Sequence, residues 1–127
     1  MISMATELKL KRVYEKTEVT DGERILVDRF WPRGIRRSSA NIDIWMKGVA
    51  PSNELRKWFS HEQSRWEGFK KRYNKELENN KAFEKLIKFI KDNDTVTLLY
   101  STKDTKHNNA VVLLEAIKKR LKEAENK

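Results

Sequence analysis

The chain has 127 residues, enough for one domain over residues 1–127, and its 28 Lys and Arg against 19 Asp and Glu give a formal net charge of +9. It has no cysteine, which excludes disulfides, thiolate catalysis, cysteine-ligated zinc and iron–sulfur clusters. Its longest apolar runs, such as residues 110–114, fall far short of the roughly twenty residues of a membrane span, and residues 1–6 hold no run of signal-peptide length.

The expectation is a soluble, cytoplasmic protein with no membrane association. Its positive balance favours anionic partners, either small phosphorylated or carboxylated molecules or nucleic acid. Lys and Glu covering solvated helix faces would also give much of this charge, since charged residues are 37% of the chain.

Residues 8–14 read as a first strand, with Leu8 and Leu10 alternating with Lys9 and Lys11. A loop follows to residue 23, with the turn pair Asp21-Gly22 near its end. Residues 24–30 form a second strand, whose consecutive Ile25, Leu26 and Val27 suit burial on both faces. Pro32 and Gly34 stop it, and residues 33–44 read as a polar loop with a helical turn near 42–46.

Ser52 is placed to cap a helix that carries Leu55, Trp58 and Phe59. Ser60-His61-Glu62-Gln63 fits a capping box opening a long amphipathic helix with Trp66, Phe69, Tyr73 and Leu77 on one face. Asn80 caps the next, in which Phe83, Leu86, Ile87 and Ile90 recur at helical spacing. Residues 95–101 are the clearest strand, and a last helix presents Ala110, Leu113, Leu114, Ile117 and Leu121 on one face.

This order predicts an α/β fold. It is a single small domain with a short, mostly parallel sheet of three or four strands and helices packed on both faces.

In open α/β sheets ligands bind beyond the carboxyl ends of the strands. Arg29 and Arg33 sit where the second strand ends, and guanidinium groups there can grip a phosphate or carboxylate in a two-bonded fork. Arg29 equally suits a structural pairing with Asp28 or another carboxylate. Arg36 and Arg37 suit plain solvent exposure.

Lys103, Asp104, His107 and Asn108 lie between the last strand and the last helix, whose first N–H groups attract anions. Lys103 adds charge and Asp104 or His107 offers a proton carrier, while Asp104 or Asn108 could instead cap the helix. Ser52 and Arg56, four residues apart, share a helix face near the Lys47-to-Ser52 loop.

A Ser52, His107 and Asp104 triple carries no weight without geometry. His61 reads as a helix-start residue. Two histidines 46 positions apart make no metal site, and no cofactor motif is present. Trp58 and Trp66 read as core, whereas Trp31 and Trp45 are the candidates for a ligand wall.

Arg12-Val13-Tyr14, Asp21-Gly22 and the run Arg24-Ile25-Leu26-Val27-Asp28-Arg29-Phe30-Trp31-Pro32-Arg33-Gly34 resemble the opening signature of the YeaO-like family, domain of unknown function 488. The resemblance continues through Trp45-Met46-Lys47, Ala50-Pro51-Ser52, Leu55 to Phe59, His61, Trp66, Phe69 and Tyr73. It closes on Thr97 to Tyr100, Lys103-Asp104, His107-Asn108 and Ala110 to Leu113. It implies an α/β fold and a prokaryotic origin, and brings no activity with it.

Members of that family often carry Lys-Glu where this chain has Lys47-Gly48, so no acid or base is assigned to that loop. The matched segments include every residue picked out above for an anion pocket: Arg29, Arg33, Ser52, Arg56, Lys103 and Asn108, with Asp104 and His107 as candidate proton carriers. The alternative is a nucleic-acid-binding surface built on Lys70-Lys71-Arg72 and Lys118-Lys119-Arg120, though no helix-turn-helix, zinc-finger or RNP signature accompanies them.

Overall fold

Thr95–Tyr100 has the β-branched and aromatic residues that a fully covered strand needs, and five of its six residues are buried. It is the fourth strand in the chain (β4) yet lies inside the sheet. The computed structural model describes residues 6–125; the N-terminal segment read above as lacking a signal peptide lies, for residues 1–5, outside them. The other strands are β1 (Glu7–Arg12), β2 (Glu23–Leu26) and β3 (Ile44–Trp45). All pairings are parallel and the order is β1-β4-β2-β3. β3 is a two-residue edge strand where a helical turn over 42–46 was expected, too short to show any alternation.

The four helices are α1 (Asn53–Phe59), α2 (Trp66–Glu78), α3 (Lys81–Lys91) and α4 (Asn109–Glu125). They start where their caps say. The Ser52 Oγ accepts from the Leu55 N–H at 3.1 Å, the Asn80 Oδ1 from Phe83 at 3.0 Å and the Asn108 Oδ1 from Val111 at 3.0 Å. α2 is the exception. Ser60 ends α1 in a left-handed conformation, φ 43°, with its N–H bonded to the Arg56 carbonyl, and a 3-10 turn over Gln63–Arg65 precedes α2. The expected capping box at Ser60 is therefore a helix terminator.

The buried side chains of all four helices form one cluster with Ile25, Val27, Val96, Leu98 and Tyr100. On the opposite face Leu26 and Leu99 pack under Trp31, Ile35, Ile42 and Trp45, which belong to the β2–β3 connection and β3. The helices thus share one face, and a loop covers the face where further helices were expected. The chain order accounts for this. Steps β1 to β2 and β2 to β3 move one way across the sheet, whereas β3 to β4 moves back. A constant crossover hand puts the return on the other face.

The β1–β2 connection crosses that loop-covered face and carries a buried ion cluster. Asp21 receives the Lys11 Nζ at 2.9 Å and the Arg24 guanidinium at 2.6 Å, and its carbonyl accepts the Thr97 hydroxyl at 2.7 Å. Next to it Gly22 (φ +64°) passes so close to β4 that a Cβ would lie 2.3 Å from the Thr95 carbonyl oxygen.

Candidate functional site

β1 and β2 send their exits to the loop-covered face, whereas β4 exits toward α4 on the helical face. The strand ends therefore part around β4, as at the switch point of an open parallel sheet. A cavity of about 550 Å³ opens there, lined by residues following β1, β2 and β4 and by α1 and the start of α4. Both histidines of the chain, His61 and His107, reach it although 46 residues separate them.

Asp28, just past β2, is the one carboxylate in the wall. Its Oδ2 accepts the Ser101 N–H at 2.9 Å and the Ser101 hydroxyl at 2.8 Å, and its Oδ1 accepts the Asn109 side-chain amide at 3.1 Å. Burial holds this carboxyl above the usual range, against the hydrogen bonds from Ser101 and Asn109 that favour its ionised form. These bonds tie β2, β4 and α4 together at the cavity. A carboxylate has about four acceptor positions, so one remains on Oδ1.

Arg29, the next residue, points elsewhere. Its guanidinium donates to the Pro51 carbonyl at 3.2 and 3.0 Å rather than to Asp28. The chain bends at both residues, beyond the end of β2. Arg29 therefore clips the β2 exit to the segment before α1 and still borders the cavity. Arg33 is exposed beside it; its carbonyl accepts the Tyr14 hydroxyl at 2.8 Å, which joins the β1 and β2 exit loops. Arg56 lies over the Phe30 ring at 4.8 Å and donates to the Asn53 Oδ1 at 2.9 Å, with Lys57 next to it in the wall. Among the described residues no carboxylate lies within ion-pair distance of Arg29, Arg33, Arg56 or Lys57.

From the last loop, His107 and Asn108 reach the cavity. Asp104 braces them. It accepts the N–H groups of Lys106 and His107 at 3.0 and 2.9 Å, faces the His107 Nδ1 at 3.1 Å, and offers its carbonyl to the Asn108 amide at 2.9 Å. The backbone N–H groups of His107 and Lys106 hold its carboxyl below the usual range. Trp66 stands edge-on to the His107 ring at 5.2 Å.

Of the residues expected at an anion site, Arg29, Arg33, Arg56, His107 and Asn108 line this cavity, and Ser52, Lys103 and Asp104 do not. Ser52 is engaged with Glu76, to which its hydroxyl donates at 2.6 Å and its N–H at 2.8 Å, so it cannot complete a triad with His107. Lys103 is exposed. Of the two tryptophans expected as a ligand wall, Trp31 borders the cavity. Trp45 instead packs edge-on against Trp31 at 5.4 Å and donates its indole N–H to the Asp28 carbonyl.

The residues missed by sequence reasoning are Asp28 as part of the wall, Tyr14, Phe30, Lys57, Asn109 and His61. Ser60 and His61 hold positive φ, 43° and 58°, where α1 ends, and that turn carries His61 to the cavity.

Residues 7–127 match the family described as "Inactive DUF488-N3 subclade". The uncharacterized protein YeaO of Escherichia coli (strain K12) is 43% identical over 108 residues, covering 85% of this chain and 94% of its own. The chain belongs to the YeaO-like DUF488 family. Another similar protein is an uncharacterized protein of Mycobacterium tuberculosis (strain ATCC 25618 / H37Rv), 39% identical over 112 residues, or 88% of this chain and 94% of that one. No solved structure matches. In this YeaO-like domain Asp28 to Arg33 of the signature run border the cavity together with Ser101, Thr102 and His107 to Asn109. No helix among the described residues is long and apolar enough to cross a membrane, and no cluster of His, Cys, Asp and Glu among them is arranged to hold a metal ion.

Proposed function

We propose that this YeaO-like domain binds a small anion, a phosphorylated or carboxylated molecule, in the cavity at its strand ends, and binds it without turnover. One observation carries the reading: Arg29, Arg33, Arg56 and Lys57 border a single cavity with no carboxylate partner among the described residues, while the carboxylate in its wall, Asp28, is already held by Ser101 and Asn109. Cations gathered around a concave, part-dry site raise the local concentration of anions and hold them more strongly than open surface does. The first turn of α4, reached through Asn108 and Asn109, adds its positive end to the same field. The description of the matched family as inactive supports binding over turnover.

Calorimetric titration with inorganic phosphate, ribose 5-phosphate and citrate at low ionic strength tests the reading. Binding of at least one is expected, weakened about tenfold in Arg33→Ala, the loss of one charge-assisted contact. No heat with any of them at millimolar concentration overturns it.

The nucleic-acid reading has less behind it. Arg120 forks onto Glu84 at 2.6 and 2.8 Å, Lys70 pairs with Glu67 at 3.1 Å, and Arg72 stacks over Trp58 at 4.0 Å, so both basic runs are partly committed within the fold. Salt-dependent binding of random DNA or RNA would favour it.

A further inference from the structure

Soluble proteins usually cover or scatter their large apolar side chains, so two of them uncovered at one opening ask for an occupant. Among the described residues three large hydrophobics are exposed: Tyr14 at 45%, Val19 at 101% and Phe30 at 57%. Two of the three, Tyr14 and Phe30, border the anion cavity, and they come from the exits of different strands.

Each ring has a guanidinium over it, Arg12 at 4.9 Å from the Tyr14 centroid and Arg56 at 4.8 Å from Phe30. The Arg12 guanidinium is itself fixed by the carbonyls of Ser101 and Thr102, both at 2.9 Å, and the Tyr14 hydroxyl by the Arg33 carbonyl. These rings are therefore held in place while remaining open to solvent. A simple anion such as phosphate or citrate has no use for them. A planar ring does, because it stacks on an aromatic face whatever its substituents. Asp28 lines the same cavity, with one acceptor position left on Oδ1 for a hydroxyl or amino donor.

From this we infer that the ligand belongs to the nucleoside monophosphate class. Its phosphate meets Arg33, Arg56 and Lys57, its base stacks on Phe30 or Tyr14, and a sugar hydroxyl donates to Asp28. A cavity of about 550 Å³ lies in the ordinary range for such molecules. More cations surround the opening than a two-oxygen carboxylate can engage, which favours the dianionic phosphate. The inference rests on the anion-pocket reading and adds the ring and the sugar to it.

The test compares adenosine monophosphate, ribose 5-phosphate and adenosine by calorimetry on the full chain and on Phe30→Ala, Tyr14→Ala and Val19→Ala. Adenosine monophosphate is expected to bind about tenfold more tightly than ribose 5-phosphate, the gain of one stacked base. That gain, read as the ratio of the two affinities within each variant, should vanish in Phe30→Ala or Tyr14→Ala and persist in Val19→Ala, whose exposed side chain lies away from the cavity. Equal affinity for the two phosphates overturns the nucleotide inference and leaves the anion reading standing. Adenosine binding as tightly as its monophosphate overturns both, and binding of none of the three overturns the nucleotide inference. A base preference that survives in both ring variants places the base elsewhere and overturns the inference.

Discussion

Two groups of charged residues sit on either side of β2, and they are organised in opposite ways. Ahead of it, Lys11 and Arg24 converge on Asp21, which is 1% exposed, so each of these cations has a carboxylate of the same chain. Beyond it, Arg29, Arg33, Arg56 and Lys57 meet carbonyls, an amide and an aromatic ring but no carboxylate among the described residues. The first group is neutralised within the fold and closes the β1–β2 crossing. The second leaves its charge facing a cavity. Arginine content alone does not separate structural from functional sites; the source of the counter-charge does.

The contrast can be broken experimentally, and the largest effect is expected at Asp21. Asp21→Asn leaves the buried Arg24 charge without its carboxylate, and Lys11 with Glu18 alone, and should cost about 3–5 kcal/mol in chemical denaturation. A loss under about 1 kcal/mol would make this cluster as dispensable as an exposed pair.

The same residue sets an acid limit. Burial pushes the Asp21 carboxyl up, but Lys11, the Glu18 N–H and Arg24 outweigh it and bring it to about 2 from 3.8. Its contribution is therefore full above the unfolded value and is lost as pH falls through about 2. Asp28 runs the other way. Its raised value means that protonation favours the folded state, so its contribution is full below the unfolded value and fades as pH rises through the folded one. Thermal melts between pH 2 and 6 should show Asp21→Asn flattening the acid loss and Asp28→Asn leaving it in place.

Next in size is Asp28→Ala. It leaves the Ser101 N–H, the Ser101 hydroxyl and the Asn109 amide without their acceptor and should cost about 1–3 kcal/mol. Ser52→Ala follows at about 1 kcal/mol, from the lost cap of α1. Its phosphate affinity should not change, since Ser52 lies outside the cavity; a tenfold loss there would return it to the site.

The smallest stability effect is expected for Arg33→Ala, within about 0.5 kcal/mol, together with the weakened anion binding described above. A large drop in melting temperature in that variant would move Arg33 into the structural group and erase the contrast.

Local signals in the sequence survived folding where they depended on a few adjacent residues. Ser52 and Asn80 cap as their positions predict, and the spacing of Phe83, Leu86, Ile87 and Ile90 places them all inside. The Ser60 box failed because the pattern fixes only residue types, and a left-handed Ser60 finishes the helix before it instead. The helical layer was misplaced because a side-chain pattern shows that a strand face is covered without showing what covers it. Trp31, Ile35 and Ile42 cover it from a loop.

At the candidate site, runs near a strand end led to Arg29, Arg33 and the 103–108 segment. Asp28 was read only as a neighbour for Arg29, since nothing in one dimension reveals that it meets Ser101 and Asn109, 73 and 81 residues away. Lys103 has the charge and the place in that segment that suit an anion, yet it lies outside the cavity.

The central position of β4 has a consequence for how the molecule is made. Among the described strands β1 pairs with β4 alone, and β2 and β3 join β1 through it. During synthesis, residues 7–12 leave the ribosome more than eighty residues before Thr95 and must wait as an unpaired strand. The sheet, and with it the cavity that needs Ser101 and Asn109, assembles only once residues 95–109 have emerged, so a nascent chain halted before residue 95 would hold helices without the central strand they pack on.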